Sequence, residues 1–232
     1  SSDLACRNLD KGRAAADGMT GPGGVEVRAL DLQNLASVRE FADGVSGADV
    51  LINNAGIMAV PYALTADGFE SQIGTNHLGH FALTNLLLPK LTDRVVTVSS
   101  FMHLTGYISI KDLNWKARPY LAWPAYGQSK LANLLFSSEL QQRLDAAGSP
   151  LRSLAAHPGY SATNLQGQTG NRVGTKVWMQ ANRLVATPAE FGARQTLFAA
   201  SQELPGDTFV GPKYVNWGPS GPTWRSPLAR DR

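Results

Sequence analysis

Short runs of apolar residues, separated by helical stretches and each closed by a polar cluster, constrain this chain more than any other feature. Val50-Leu51-Ile52 leads into Asn53-Asn54-Ala55-Gly56, Val95-Val96-Thr97-Val98 into Ser99-Ser100, and the run over 151–156 into His157-Pro158-Gly159. Continuous apolar runs of this length are the pattern of parallel strands buried on both faces. Nearer the start, a short apolar piece at 4–6 precedes Arg7 and Asn8. A strand over 25–30 has Asp31 at its end. Helices are predicted over 9–17, from the cap Asn34 to 45, over 69–88 with Asn76 midway, and over 124–147; Pro124 suits a first turn and Gly148 an end. Two further helical segments, over 175–185 and 188–201, precede a last short strand at 208–210. Strands alternating with helices predict an α/β chain built on a doubly wound parallel sheet. Ligands of such sheets gather beyond the carboxyl ends of the strands. The polar clusters at 7, 31, 53–56, 99–100 and 157–163 all fall there, so those ends are the expected binding site.

The length of 232 residues and a 43% hydrophobic composition suit one domain over 1–232, with a loosely ordered tail from Trp217 rich in Gly, Pro and Arg. No apolar run reaches the length of a membrane span, and the opening Ser-Ser-Asp lacks a basic region followed by an apolar one. The single Cys6 excludes an internal disulfide framework, and a cytoplasmic location is the expectation. The net charge of +3 is scattered, with no stripe suited to nucleic acid.

Tyr126 and Lys130 stand four apart, so a helix places them one turn apart on one face. A free phenol titrates near pH 10, and a neighbouring cation favours its ionised form. The pair is a candidate acid/base device. His77 and His80 share a helix face, but no Cys or carboxylate cluster completes a metal site around them, and they read as structural. Trp115, Tyr120 and Trp123 either form an apolar substrate wall or pack the irregular segment 101–124 onto the domain.

Together these marks resemble the short-chain dehydrogenase/reductase family over almost the whole chain. They are Asn53-Asn54-Ala55-Gly56, Asn76 within Thr-Asn-His-Leu-Gly-His-Phe, Ser99-Ser100, Tyr126 with Lys130, and Pro158-Gly159 followed by Thr163. The insert between Ser100 and Tyr126 and the Ser-Lys-Leu-Ala-Asn after the Tyr look most like the retinol dehydrogenase-like branch, which includes relatives of protochlorophyllide reductase. The resemblance implies a Rossmann-like fold and a hydride transfer between a nicotinamide and an alcohol or carbonyl of a small, moderately apolar substrate. It implies that Tyr126 moves the proton, Lys130 lowers the phenol's pKa and holds the nicotinamide ribose, Ser100 bonds the substrate oxygen, and Asn76 holds a water in the proton relay. Ser99 and Ser100 cannot be separated by sequence; the family pattern favours the second. Arg7 and Asn8 occupy the strand end where an acid would select a free ribose 2'-hydroxyl and an Arg a 2'-phosphate, so NADP(H) is expected over NAD(H). Asp31 and Leu32 would flank the adenine, Asn53, Ala55 and Gly56 the adenine ribose, and Pro158, Gly159 and Thr163 the nicotinamide. A homodimer through the helices following Phe69 and Pro124 is implied by many members, and substrate choice would rest on 101–124 and 165–185.

The family's first strand and glycine-rich turn should precede Leu4, and Gly18 to Gly24 follow the second strand instead. The strand is central in the family's sheet, so these residues alone are expected to fold poorly. Two other readings stand beside the first: reduction of a carbon-carbon double bond, and a non-catalytic truncated dinucleotide-fold module.

Overall fold

The structure, a computed structural model, describes residues 1–159, 189–214 and 217–230. Seven strands and the helices between them form a Rossmann-like α/β arrangement in the described residues. Strand β1 (Ser2–Cys6) pairs in parallel with β2 (Val25–Ala29), and α1 (Leu9–Asp17) crosses between them. Helix α2 (Leu35–Asp43) leads to β3 (Ala48–Asn53), the first member of a second sheet. In that sheet β3, β4 (Leu91–Val98), β5 (Arg152–Ala156), β6 (Phe209–Pro212) and β7 (Ser220–Pro222) follow in order. Every pairing is parallel except β6 with β7. The predicted alternation is therefore present. Among the described residues β1 pairs with β2 alone and β3 with β4 alone, so each keeps an open edge.

Local chemistry sets the helix starts. Asn8 and Asn34 accept from the N–H groups of Lys11 and Ala36, both at 2.9 Å, and so cap α1 and α2. Glu70, fully buried, accepts from the N–H groups of Gln72 at 2.8 Å and Ile73 at 2.9 Å, opening the short α3 (Ser71–Ile73). The helix expected over 69–88 is not regular. A π turn at Gly74–Leu78, closed by the Gly79 N–H on the Gly74 carbonyl, separates α3 from α4 (Gly79–Leu87). Such wide turns inside helices cluster at functional sites, and this one carries Asn76. Helix α5 (Ala122–Ala146) ends where Gly148 takes φ +64°, a conformation costly for any residue with a Cβ.

A core of Leu30, Val38, Phe41, Leu83, Val95 and Leu140 joins α2, α4 and α5 to the sheet. No helix of the described residues is long and apolar enough to cross a membrane. The tail expected to be loosely ordered contributes β7, whose Pro222, Gly221 and Ser220 pair with Val210, Gly211 and Pro212. Its Arg225 is buried, donating to Asp207 Oδ1 at 2.6 Å and Ser138 Oγ at 2.8 Å, and Ala229 enters the core. Local composition reads as loosely ordered because the acid and the strand that receive this tail are distant in sequence. Helix α6 (Ala189–Ser201) matches the predicted 188–201 helix, whereas the 175–185 helix lies outside the described residues.

Candidate active site at the carboxyl ends of the strands

The end of β4 and the first turns of α5 bring the central groups together. The Tyr126 phenol lies near the side chain of Ser100, which favours its ionised form. Ser100 Oγ also accepts from the Met102 N–H at 3.2 Å, which opens a 3-10 turn over Phe101–Thr105. The neighbouring Ser99 is buried and donates instead to the Lys130 carbonyl at 2.8 Å. Of the two serines that sequence could not separate, only Ser100 thus reaches the phenol.

Lys130 is buried, and its Nζ donates to the Val98 carbonyl at 3.1 Å. The ammonium lies 5.6 Å from the centroid of the Tyr126 ring, over the ring and not on the phenol oxygen. Burial lowers the Lys130 ammonium to about 8. Burial also pushes the Tyr126 phenol up to about 12, against a smaller downward pull from the Ser100 side chain. The expected lowering of the phenol by Lys130 is therefore not what this arrangement gives. Desolvation disfavours the phenolate more than the nearby groups favour it.

Asn76, fully buried, clamps the loop after β3 to α5. Its Oδ1 accepts from the Ile57 N–H at 2.8 Å, and its Nδ2 donates to the Ile57 carbonyl and to Ser129 Oγ, both at 2.9 Å. The Asn76 carbonyl accepts from His80 Nδ1 at 3.0 Å. Its side chain is therefore used in positioning the loop and α5. Ser129 completes this bridge by donating to the Tyr126 carbonyl at 2.8 Å. Sequence reasoning missed Ser129; its place one turn after Tyr126 was the available signal. It also missed Gln72, which accepts from the Ala59 N–H at 2.8 Å and donates to Tyr120 Oη at 2.7 Å and the Ala122 carbonyl at 2.9 Å. Tyr120 and Trp115 are thereby packing groups of the insert, with the Arg118 guanidinium 3.7 Å from the Trp115 ring, while Trp123 stands edge-on to Tyr126.

The other predicted positions spread along the strand ends. Arg7 is exposed just beyond β1, while Asn8 is committed to capping α1. Asp31 Oδ1 accepts from the Gln33 N–H at 2.9 Å, and the neighbouring Leu32 is buried in the core against Gly79 of α4. Asn53 is buried and donates to Thr84 Oγ1 at 2.8 Å, leaving its Oδ1 without a partner. Ala55 is exposed, and Gly56 sits where an added Cβ would lie 3.0 Å from Asn76 Oδ1 and 3.6 Å from Lys130 Nζ. Gly159 takes φ +70° and donates to His157 Nδ1 at 3.2 Å, following Pro158. Thr163 and the segment 165–185 lie outside the described residues.

A further feature explains how Ser100 comes so close to α5. A Cβ on Gly127 would meet Thr105 Oγ1 at 2.5 Å and the Met102 carbonyl at 2.8 Å, and one on Gly106 would meet the Gly127 carbonyl at 2.4 Å. The two glycines let the serine turn pack directly on the helix beside Tyr126. Gly127→Ala is expected to cost about 2 kcal/mol or more, because the obstruction is partly backbone. A urea midpoint unchanged from the parent would show that the turn does not pack this closely.

A sequence profile described as short chain dehydrogenase matches residues 5–173. Human retinol dehydrogenase 13 is 42% identical over 220 residues, covering 87% of this chain and 65% of that protein. The chain thus spans less than two thirds of that relative's length. The crystal structure of an uncharacterized protein from Mycobacterium paratuberculosis is 66% identical, with a TM-score of 0.86 over 99% of this chain and 77% of that one. A short chain dehydrogenase from Burkholderia cenocepacia, solved with NADP, shares the fold at 19% identity, with a TM-score of 0.68 over 93% of this chain and 86% of that one.

Proposed function

The chain belongs to the short-chain dehydrogenase family, and on that premise we propose that it is an NADP(H)-dependent oxidoreductase acting on the alcohol or carbonyl group of a small substrate. The placing of Ser100 beside the Tyr126 phenol, one turn from the buried Lys130, carries this reading. Two hydroxyl groups converge on one point and can both donate to an oxygen on which negative charge develops. A carbonyl oxygen suits that point better than a carbon-carbon double bond, which offers no acceptor.

The residues fit the ribose end of a nicotinamide nucleotide. Lys130 has three N–H donors, and among the described residues Val98 is the one acceptor it meets. Gly56 lets backbone pass beside the ammonium, with an added Cβ tight only against Asn76 Oδ1 at 3.0 Å. A bound nicotinamide supplies or accepts the hydride. In the reductive direction the electron pair of the carbonyl moves to oxygen as the carbon–hydride bond forms. Tyr126 gives that oxygen its proton, Ser100 holds the oxygen in place, and solvent returns a proton to the phenolate. The high phenol pKa keeps Tyr126 neutral at pH 7, the form a proton donor needs.

Arg7 carries the cofactor preference in this reading. It is exposed and makes no ion pair with another described residue, so its guanidinium is available for a 2'-phosphate. Fluorescence titration should show NADPH binding more tightly than NADH. Arg7→Ala is expected to weaken NADPH by about tenfold or more while leaving NADH unchanged, the loss of hydrogen bonds to a charged group. Equal affinities in the parent, or an unchanged ratio in the variant, would overturn the assignment. Retinol dehydrogenase 13 supports an alcohol/carbonyl pair as the reacting group. The substrate panel for turnover should therefore compare aldehydes and ketones with an enone, whose product distinguishes carbonyl from double-bond reduction.

A further inference from the structure

We infer that His103 is a positioning residue, which holds Ser100 by tying its backbone to the C-terminal segment through Ser226; the inference rests on the role proposed for Ser100. His103 is 1% exposed and lies in the 3-10 turn directly after that serine. Both ring nitrogens are engaged. Nδ1–H donates to the Ser100 carbonyl at 2.8 Å, and Nε2 accepts from the Ser226 N–H at 3.2 Å. A carbonyl can only accept and an amide can only donate, so these partners select one neutral tautomer. The ring also stands edge-on to Phe209 of β6, with centroids 5.8 Å apart.

The far end of this link is itself anchored. Ser226 is 5% exposed, and its Oγ accepts from the Ala229 N–H at 3.2 Å, closing a turn over Pro227–Ala229. The preceding Arg225 is held by Ser138 on α5 and by Asp207 just before β6. A single side chain therefore joins a pinned C-terminal turn to the backbone of the residue whose hydroxyl meets Tyr126. Hydroxyl placement at a reacting oxygen tolerates only a few tenths of an ångström. The short turn over Phe101–Thr105 has no long helical ladder of its own to supply that rigidity.

Ser226 has φ −62°, the value a proline ring imposes, so Ser226→Pro removes the N–H with little change in backbone angle. Comparison with Ser226→Ala, which lacks the same hydroxyl, isolates the N–H donated to His103. On the full chain, kcat of Ser226→Pro is expected to be about tenfold below that of Ser226→Ala, with KM for NADPH equal in both, because Lys130 and Gly56 are untouched. His103→Phe should lose at least as much. His103→Asn, whose amide can still donate to the Ser100 carbonyl, should recover part of it. Equal kcat values for Ser226→Pro and Ser226→Ala, or no recovery by Asn relative to Phe, would refute the link. The His103 ring nitrogen resonances give a readout without turnover. They should shift in Ser226→Pro and hold in Ser226→Ala, and an unmoved Nε2 in both would refute the link even if the parent reduced no carbonyl tested. An inactive parent with the expected shift would instead overturn the proposed function.

Discussion

Tyr126→Phe is expected to lower kcat for carbonyl reduction by about a thousandfold, within the range that a positioned general acid contributes. Among the described residues the phenol stands beside Ser100 and is neutral at pH 7, as a proton donor must be. The Ser99 hydroxyl is spent on the Lys130 carbonyl, so it cannot take the phenol's place without breaking a buried hydrogen bond. The ring of Phe keeps the packing against Trp123, and only the hydroxyl with its interaction with Ser100 is lost. That change costs about 1 kcal/mol of stability. NADPH affinity and the unfolding midpoint should therefore stay near those of the parent while turnover collapses. A variant retaining more than a tenth of the parent kcat would mean that the proton comes from elsewhere.

Acid lability is the second large effect. Burial lowers all four histidines, to about 4 for His80 and His157 and in the same direction for His77 and His103. Smaller contributions at His80 come from the Asn76 hydrogen bond, which raises, and from Lys130 and His77, which lower; at His157, His103 lowers. The folded values lie below the unfolded value of 6.5, so the unfolded chain binds more protons between pH 6.5 and about 4. Stability is thus fully present above pH 6.5 and falls as the pH drops through that window. His80 and His157 account for about 3 kcal/mol each at its lower end, a large share of the stability of an ordinary domain. Urea unfolding between pH 7 and pH 5, above the range where carboxylates titrate, checks the sign. A midpoint that stays constant or rises on acidification would contradict neutral, buried histidines. His157→Gln should flatten the slope by about one proton's worth, roughly 1.4 kcal/mol per pH unit.

Much of the frame was legible in the sequence because it follows from short-range regularities. Buried parallel strands must be apolar over a few residues, and helix starts need acceptors such as Asn8 and Asn34 for their free N–H groups. Those two rules placed the strand ends, and with them the polar clusters that form the candidate site. The π turn at Gly74–Leu78 was not legible, since Asn76 is held there by Ile57 and Ser129, both distant along the chain. The order of the tail was equally hidden. Gly, Pro and Arg have no strand or core signature of their own, and only the Asp207 carboxylate and the edge of β6 give them a place.

What the sequence by itself determined is the spacing of Tyr126 and Lys130 and the set of strand ends that surround them. Tertiary structure decided what that spacing means chemically. It put the ammonium over the ring and raised the phenol, because burial depends on every element packed around the pair. It also chose between Ser99 and Ser100. Consecutive residues leaving a strand point to opposite sides, so one hydroxyl met the Lys130 carbonyl and the other the Tyr126 phenol. The close packing of Gly106 on Gly127, residues 21 positions apart, brings the turn that begins at Ser100 against the helix that carries the phenol.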